Sequence, residues 1–334
     1  MCKKLPKKPP NQFTKSLQYD LFTRFVANDG DLVSNTIELW QRIPKYIFTA
    51  RQVAKLRNID GYAEPFEKEF IFNKVNYSVL IRPAQILQKD GSYKHFFPSI
   101  TEELIEEVLL RFLSEQYRGI HNPSELETWV KFSLSMIRKE LKERGKSRSI
   151  KQIKQAIDVM RYSNITVYEN NKELFNEPLL TVFTVTRKEY IENRKSLHIA
   201  RLPYLISLAI NNLEYRQFNY DRMMRCKEQL SRWLYKHFVH RYKQASVLDD
   251  YHFMYQYLKE NTGLLEQARE IDNRRKVLAA LKELKSQRVL IQYTSKEKKR
   301  GRTIIDVVYT VTASLEFEKE QKAANKRARI IMNN

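Results

Sequence analysis

Seven glycines in 334 residues leave the chain few positions where the backbone can turn into left-handed conformations without strain. That scarcity argues against glycine-rich phosphate loops and against a barrel built on tight turns. It favours helices joined by short loops, with some hairpins. The length fits two domains with extensions, and a chain that is 42% hydrophobic and 12% aromatic can bury both cores.

The next constraint is charge. Sixty basic residues against 39 acidic ones give a net +21, a self-repulsion that a polyanion would offset. Nucleic acid is the first candidate and a membrane surface the second, but no stretch approaches the ~20 continuous apolar residues of a spanning helix. Met1-Cys2-Lys3-Lys4-Leu5-Pro6-Lys7-Lys8-Pro9-Pro10 has the basic start of a signal peptide without an apolar segment behind it, and reads as a disordered basic tail over residues 1–21. Cys2 and Cys226 can build neither a disulfide framework nor a structural zinc site, which points to a reducing cytoplasm.

Along the chain, residues 22–98 mix short helical signals with alternating strands around a turn at 74–76, and read as a hairpin-bearing subdomain or arm. Residues 99–195 carry a sharper pattern. Ser99 can cap a helix reaching Tyr117; a strand at 130–134, helices at 135–144 and 149–163, and strands at 165–168 and 179–186 follow, the order of a winged helix. In the second of these helices Ile150, Ile153, Ile157 and Met160 share one face while Lys151, Gln155 and Tyr162 share the other. Such a polar face is most often merely solvated. Here ten basic residues (131, 138, 139, 142, 144, 146, 148, 151, 154 and 161) stand against three acidic ones (140, 143 and 158), so Arg148, Lys151 and Gln155 become DNA-contact candidates.

Residues 196–312 repeat the plan. A strand at 196–202, a helix after Pro203 and a helix over 220–242 lead to a helix at 251–262, a helical turn at 264–270, and a helix capped by Asp272 and running to Arg288. Strands at 289–293 and 303–312 then flank Lys296-Glu297-Lys298-Lys299-Arg300-Gly301-Arg302. With Val277, Leu278, Leu281 and Leu284 taken as the buried stripe, Arg275, Lys276, Ala279 and Lys282 face outward. Arg274, Arg275 and Lys276 occupy the turn that enters a major groove, with Arg275 the candidate for a bidentate guanine contact. Lys298, Lys299, Arg300 and Arg302 form a basic wing tip for backbone or minor groove. A lone basic turn would ordinarily be a solvated one; its coincidence with the wing reverses that reading. Residues 313–334 complete the chain as a basic helix or tail. The expected fold class is α+β, mainly α, with tandem winged helices behind an N-terminal hairpin-bearing extension.

Catalytic signatures fail on spacing. Arg144-Gly145-Lys146-Ser147 resembles the end of a P-loop, but Glu140 stands where the upstream glycine is required. No two of the six histidines are separated by one residue, as a nicking enzyme's metal site needs, and His237 and His240 lack a local Cys or carboxylate partner. Asp249-Asp250 reads as a helix cap. The expectation is a non-enzyme with no cofactor and no metal.

Tyr215-Arg216-Gln217-Phe218-Asn219-Tyr220-Asp221-Arg222-Met223-Met224 and Leu230-Ser231-Arg232-Trp233-Leu234-Tyr235-Lys236 resemble the stretch joining the two winged helices of RepA-type initiators of iteron plasmids. Ile304-Ile305-Asp306-Val307-Val308-Tyr309 and Phe317-Glu318-Lys319-Glu320-Gln321-Lys322-Ala323-Ala324-Asn325-Lys326-Arg327-Ala328 resemble that family's end. The resemblance implies a C-terminal winged helix that reads repeated double-stranded sites (iterons) and an N-terminal one that mediates dimerisation and auxiliary DNA contact. It also implies melting of an adjacent AT-rich region, recruitment of the host initiator and replicative helicase, a monomer–dimer equilibrium that controls copy number, chaperones as further candidate partners, and a bacterial cytoplasmic setting. Two alternatives stand beside it: a repressor binding a single inverted repeat, and a scaffold joining RNA or membrane to partners through its tails.

Overall fold

The computed structural model describes residues 33–115, 118–183 and 194–332. The tail expected over 1–21, the first part of the 22–98 segment, Tyr117 and the end of the strand expected over 179–186 lie outside the described residues. In chain order the elements are β1 (Val33–Ile37), α1 (Glu38–Arg42), α2 (Ala50–Leu56), β2 (Phe66–Phe72), β3 (Val75–Arg82), β4 (Ala84–Leu87), β5 (Tyr93–Phe96), α3 (Ile100–Leu113), β6 (Gly119–Asn122) and β7 (Glu127–Phe132). They continue with α4 (Leu134–Glu143), α5 (Ile150–Tyr162), β8 (Asn164–Glu169), β9 (Lys172–Pro178), β10 (Thr181–Phe183), β11 (His198–Arg201), α6 (Tyr204–Asn211), β12 (Tyr215–Asn219), α7 (Tyr220–Arg225) and α8 (Gln229–Arg241). The last are β13 (Asp250–Met254), α9 (Tyr255–Thr262), α10 (Glu270–Ser286), β14 (Leu290–Arg300), β15 (Thr303–Ala313) and α11 (Leu315–Met332).

The fold is mixed α and β rather than mainly helical, and the reason is long-range strand pairing. β1 pairs with β12, β7 with β11 and β3 with β8, each antiparallel. No local pattern announces such partners, because each strand's edge is supplied by a distant part of the chain.

Helix starts follow capping chemistry. Ser133 accepts from the Met136 N–H at the head of α4; Ser149 and Gln152 form a reciprocal capping box at the head of α5; the Ser99 N–H and hydroxyl both donate to Glu102 at the head of α3. The buried face of α5 is Ile153, Ala156, Ile157, Val159 and Met160. Its loop neighbour, the P-loop-like 144–147 stretch, is the turn between two helices.

Residues 250–313 form a strand, two helices and a hairpin. Their sheet has the order β13-β15-β14, so the hairpin's second strand lies in the middle. Residues 251–254, expected to begin a helix, are strand: β15 offers an edge, and Tyr251 to Met254 pair with Val311 to Val308. Asp250 therefore opens a strand rather than capping a helix, and its carboxylate accepts from the Thr312 hydroxyl. α9 ends at Gly263, whose φ of 63° suits glycine and where a Cβ would stand 2.6 Å from the Ile47 methyl. The expected helical turn over 264–270 is irregular up to residue 269, and the expected 220–242 helix breaks at Cys226 into α7 and α8.

The first unit departs from this plan. Its hairpin β8–β9 is joined by β2–β3 into one sheet of order β2-β3-β8-β9, and the strand before its helices, β7, pairs instead with β6 and β11. One apolar core runs from Ile37 through Leu109, Ile157 and Leu234 to Val311 and Phe317. Inside it, α3 meets α8 through charge: Arg232 grips Glu103 at 2.8 and 3.1 Å, Lys236 pairs with Glu107, and Glu106 accepts from Trp40 and Tyr46 beside Lys45. Burial alone would depress the Arg232 guanidinium, but the adjacent Glu103 carboxylate reverses this and holds its pKa up.

Candidate nucleic-acid interface

The outer face of α10 differs from the sequence expectation at two residues. Asn273, Val277, Ala280, Leu281 and Leu284 are its buried positions. Leu278, assigned to the buried stripe, is 36% exposed, and it shares the solvent side with Ile271, Arg275, Ala279 and Lys282. Lys276, assigned outward, lies on the border between faces. Its ammonium donates to the Leu264 carbonyl at 2.9 Å, and burial lowers its pKa, with Glu228 opposing. The group fastens the loop before α10 instead of waiting for a phosphate.

Asn273 completes that fastening. Its carboxamide accepts from the Gln267 N–H at 2.9 Å and donates to the Gln267 carbonyl at 3.1 Å, which sets the angle at which the chain enters the helix. Asp272 sits in the first turn rather than at the cap, and bridges Arg269 at 2.7 Å and Arg275 at 3.3 Å. Exposed pairs of this kind are worth only about 0–1 kcal/mol, so Arg275, with 66% of its side chain exposed, is readily released to a ligand. Arg274 is half-buried and lies near the Tyr309 phenol, whose pKa burial pushes up against that arginine's charge.

The hairpin is longer than expected. The basic segment is not a loop between strands but part of them: β14 and β15 pair from Leu290/Ala313 out to Arg300/Thr303. Only Gly301 and Arg302 turn the chain, Gly301 taking the positive φ of 61° that a two-residue hairpin needs at its first central position. Residues 294–303 are all exposed. This arm, on the order of 20 Å at ~3.4 Å per residue, carries Lys298, Lys299, Arg300 and Arg302. Lys299 pairs at 2.8 Å with Glu297, an exposed contact of little strength. The arm is held on its β15 side where Asp306, opposite Lys298, accepts from the Gln256 N–H at the head of α9 and from the Val307 N–H. Between the Lys298–Asp306 and Lys299–Ile304 pairs, Ile305 is left over as a β-bulge, the device that re-aims a hairpin tip.

In the first unit Lys151, Gln155 and Tyr162 are exposed on α5, opposite Ile153, Ile157 and Met160. Arg148 is committed internally: its guanidinium donates to the Thr101 hydroxyl at 3.2 Å and to the Ser147 and Lys146 carbonyls, and burial lowers its pKa, with Arg232 reinforcing. It braces the loop ahead of α5. The structure thus brings Arg275, Lys282, Lys298, Lys299, Arg300 and Arg302 to the exposed surface of one sheet-and-helix unit, sets Lys151 and Gln155 on another, and withdraws Lys276 and Arg148.

His237 and His240 are buried. His237 stacks on Trp233, contacts Arg42 at 2.7 Å through Nδ1 and the Tyr251 hydroxyl at 3.0 Å through Nε2. Among the described residues no group of three or more His, Cys, Asp or Glu could hold a metal ion, and no helix is long and apolar enough to cross a membrane.

No family model matches this chain, and no curated protein matches it. Solved structures similar to it include SeMet derivatives of domains 2 and 3 of RctB (12% identity, 75% of this chain and 91% of that one, TM-score 0.47) and a second structure of RctB domains 2-3 (13%, 80% and 97%, 0.45). A third is the Pi initiator protein in complex with iteron DNA (12%, 64% and 90%, 0.44).

Proposed function

We propose that this chain is a DNA-binding replication initiator that reads directly repeated double-stranded sites through α10 and the β14–β15 arm, acting together as the recognition helix and wing of a winged helix. The observation that carries the reading is the arm itself: residues 294–303 are all exposed, with four cations at and beside the turn, on the hairpin whose β14 strand α10 packs against. An arm of that composition gains nothing from folding alone; phosphates are the partner that offsets its self-repulsion. Arg275 on the neighbouring helix supplies the planar donor fork suited to guanine O6 and N7.

A second helix-helix-hairpin unit, residues 99–195, gives the chain a tandem winged-helix organisation, with Lys151 and Gln155 on its exposed helix and a role in dimerisation and auxiliary DNA contact. Origin melting and recruitment of the host initiator, helicase and chaperones by bound arrays complete the reading, with a monomer–dimer equilibrium setting copy number. No catalytic step, cofactor or metal enters it.

The test is a footprint over DNA flanking the gene, together with transformation by a replicon carrying only the gene and that DNA. Protection of directly repeated sites and maintenance of the replicon support the proposal. Protection of one inverted repeat without replication assigns the protein instead to the repressors.

A further inference from the structure

The solvent side of α10 is not uniformly basic. Ile271 and Leu278 are 45% and 36% exposed. A single exposed leucine would need no explanation. These two lie seven residues apart, about two helical turns, and Arg275 lies between them on the same side. At 1.5 Å rise per residue the three side chains span about 10 Å, roughly three base-pair steps of 3.4 Å. Lys282 continues the row toward the helix C-terminus, while Lys276 is turned away and fastened.

We propose that this row reads thymine methyl groups on either side of a guanine: Arg275 takes the guanine edge, and Ile271 and Leu278 each cover a 5-methyl group in the major groove. The chemistry fits the only apolar feature a major groove presents, the thymine C5-methyl group. Charge selects a duplex over an apolar protein partner, because Arg275 and Lys282 share the exposed side of the helix with the two apolar side chains. The inference rests on the DNA-reading role of α10 and adds to it the kind of sequence that is read.

The experiment has two stages. Duplexes selected from a random pool by the intact protein first establish whether a preferred site exists; if none is enriched, the DNA-reading role itself fails. Within an enriched site, each thymine is then replaced by deoxyuridine, which removes the methyl group and leaves every hydrogen bond in place. The expected result is a loss of about fourfold in affinity at each of two thymines flanking a guanine, the value of one buried methyl group. Leu278→Ala should abolish the loss at one of these thymines and Ile271→Ala at the other, with the salt slope unchanged in both. Alanine is a strong helix former, so neither exposed substitution threatens α10. Specific binding that is indifferent to deoxyuridine at every thymine overturns the inference and leaves the DNA-reading role standing. The same holds if the two variants alter only self-association, which would make the apolar row a contact between copies.

Discussion

Arg275 and Lys276 are neighbours with opposite fates, and the difference is the ~100° that separates successive residues on a helix. Arg275 falls among exposed positions; Lys276 falls where a four-carbon stem reaches back to the Leu264 carbonyl. The sequence shows the basic run, and the periodicity shows a face, but the 264–269 loop that claims Lys276 has no pattern of its own. Leu278 misleads for the same reason: an apolar residue beside Val277 looks like core until the packed stripe proves to centre on Val277, Ala280, Leu281 and Leu284. Arg275→Ala should weaken binding to the preferred site by about 5- to 150-fold, the range for one bidentate base contact, and leave random DNA nearly unaffected. Lys299→Ala should weaken both equally and reduce the salt slope by about one. Lys276→Met should leave affinity within about threefold in the same titrations; a loss matching Arg275→Ala would show that its ammonium does reach DNA. His237 and His240 give a residue-scale prediction of another kind. Burial holds both well below the usual imidazole pKa, reinforced first by Arg42 for His237 and by Arg216 for His240. The unfolded chain binds protons below about pH 6.5 that the folded chain refuses, so stability present above that pH is lost as pH falls. Thermal unfolding between pH 7.5 and 5.5 should show the midpoint dropping, and His240→Gln should make the drop shallower.

At the scale of elements, helices were legible from their starts: Ser99 caps the helix expected there, and the helices expected from 135 and 149 begin within one residue of those positions, capped by Ser133 and Ser149. Strands were clearest where alternation and a turn lie together, as in β2–β3, while those expected at 130–134 and 196–202 overlap β7 and β11. The 250–254 strand was not, since Tyr251, Met254, Tyr255 and Leu258 also satisfy a helical spacing and only β15, more than 50 residues on, decides otherwise. The α3–α8 seam was equally hidden, because glutamates on one helix and cations on another gain meaning only when paired. Removing one partner of a buried pair costs about 3–5 kcal/mol, whereas replacing both with apolar residues is often close to neutral. Glu103→Gln should therefore destabilise the protein strongly in chemical denaturation, and the double change Glu103→Leu with Arg232→Met should recover most of the loss. A double variant no more stable than the single one would mean that the seam depends on its hydrogen-bond geometry rather than on balanced charge.

On the scale of the whole molecule, the two helix-helix-hairpin units share an order of elements but not an environment. The first unit's β8 is covered by β3, and the edge of that sheet is tied to α9 where the Ile71 N–H donates to Asn261 and Lys68 meets Glu266. In the second unit's hairpin β15 is covered by β13, but residues 294–303 are all exposed. One hairpin is thus built into a four-stranded sheet, while the other ends in residues that are all exposed. As the helix and wing of one DNA-reading unit, α10 and the β14–β15 arm must meet one duplex at once. Placing a photo-crosslinker at position 275 in one variant (Arg275→Cys) and at position 299 in another (Lys299→Cys), each bound to the same selected duplex, measures this directly. The expected result is crosslinks from both positions within a single site, the helix position marking bases and the arm marking backbone a few base pairs away. Crosslinks from only one of them, or to different duplexes, would contradict it.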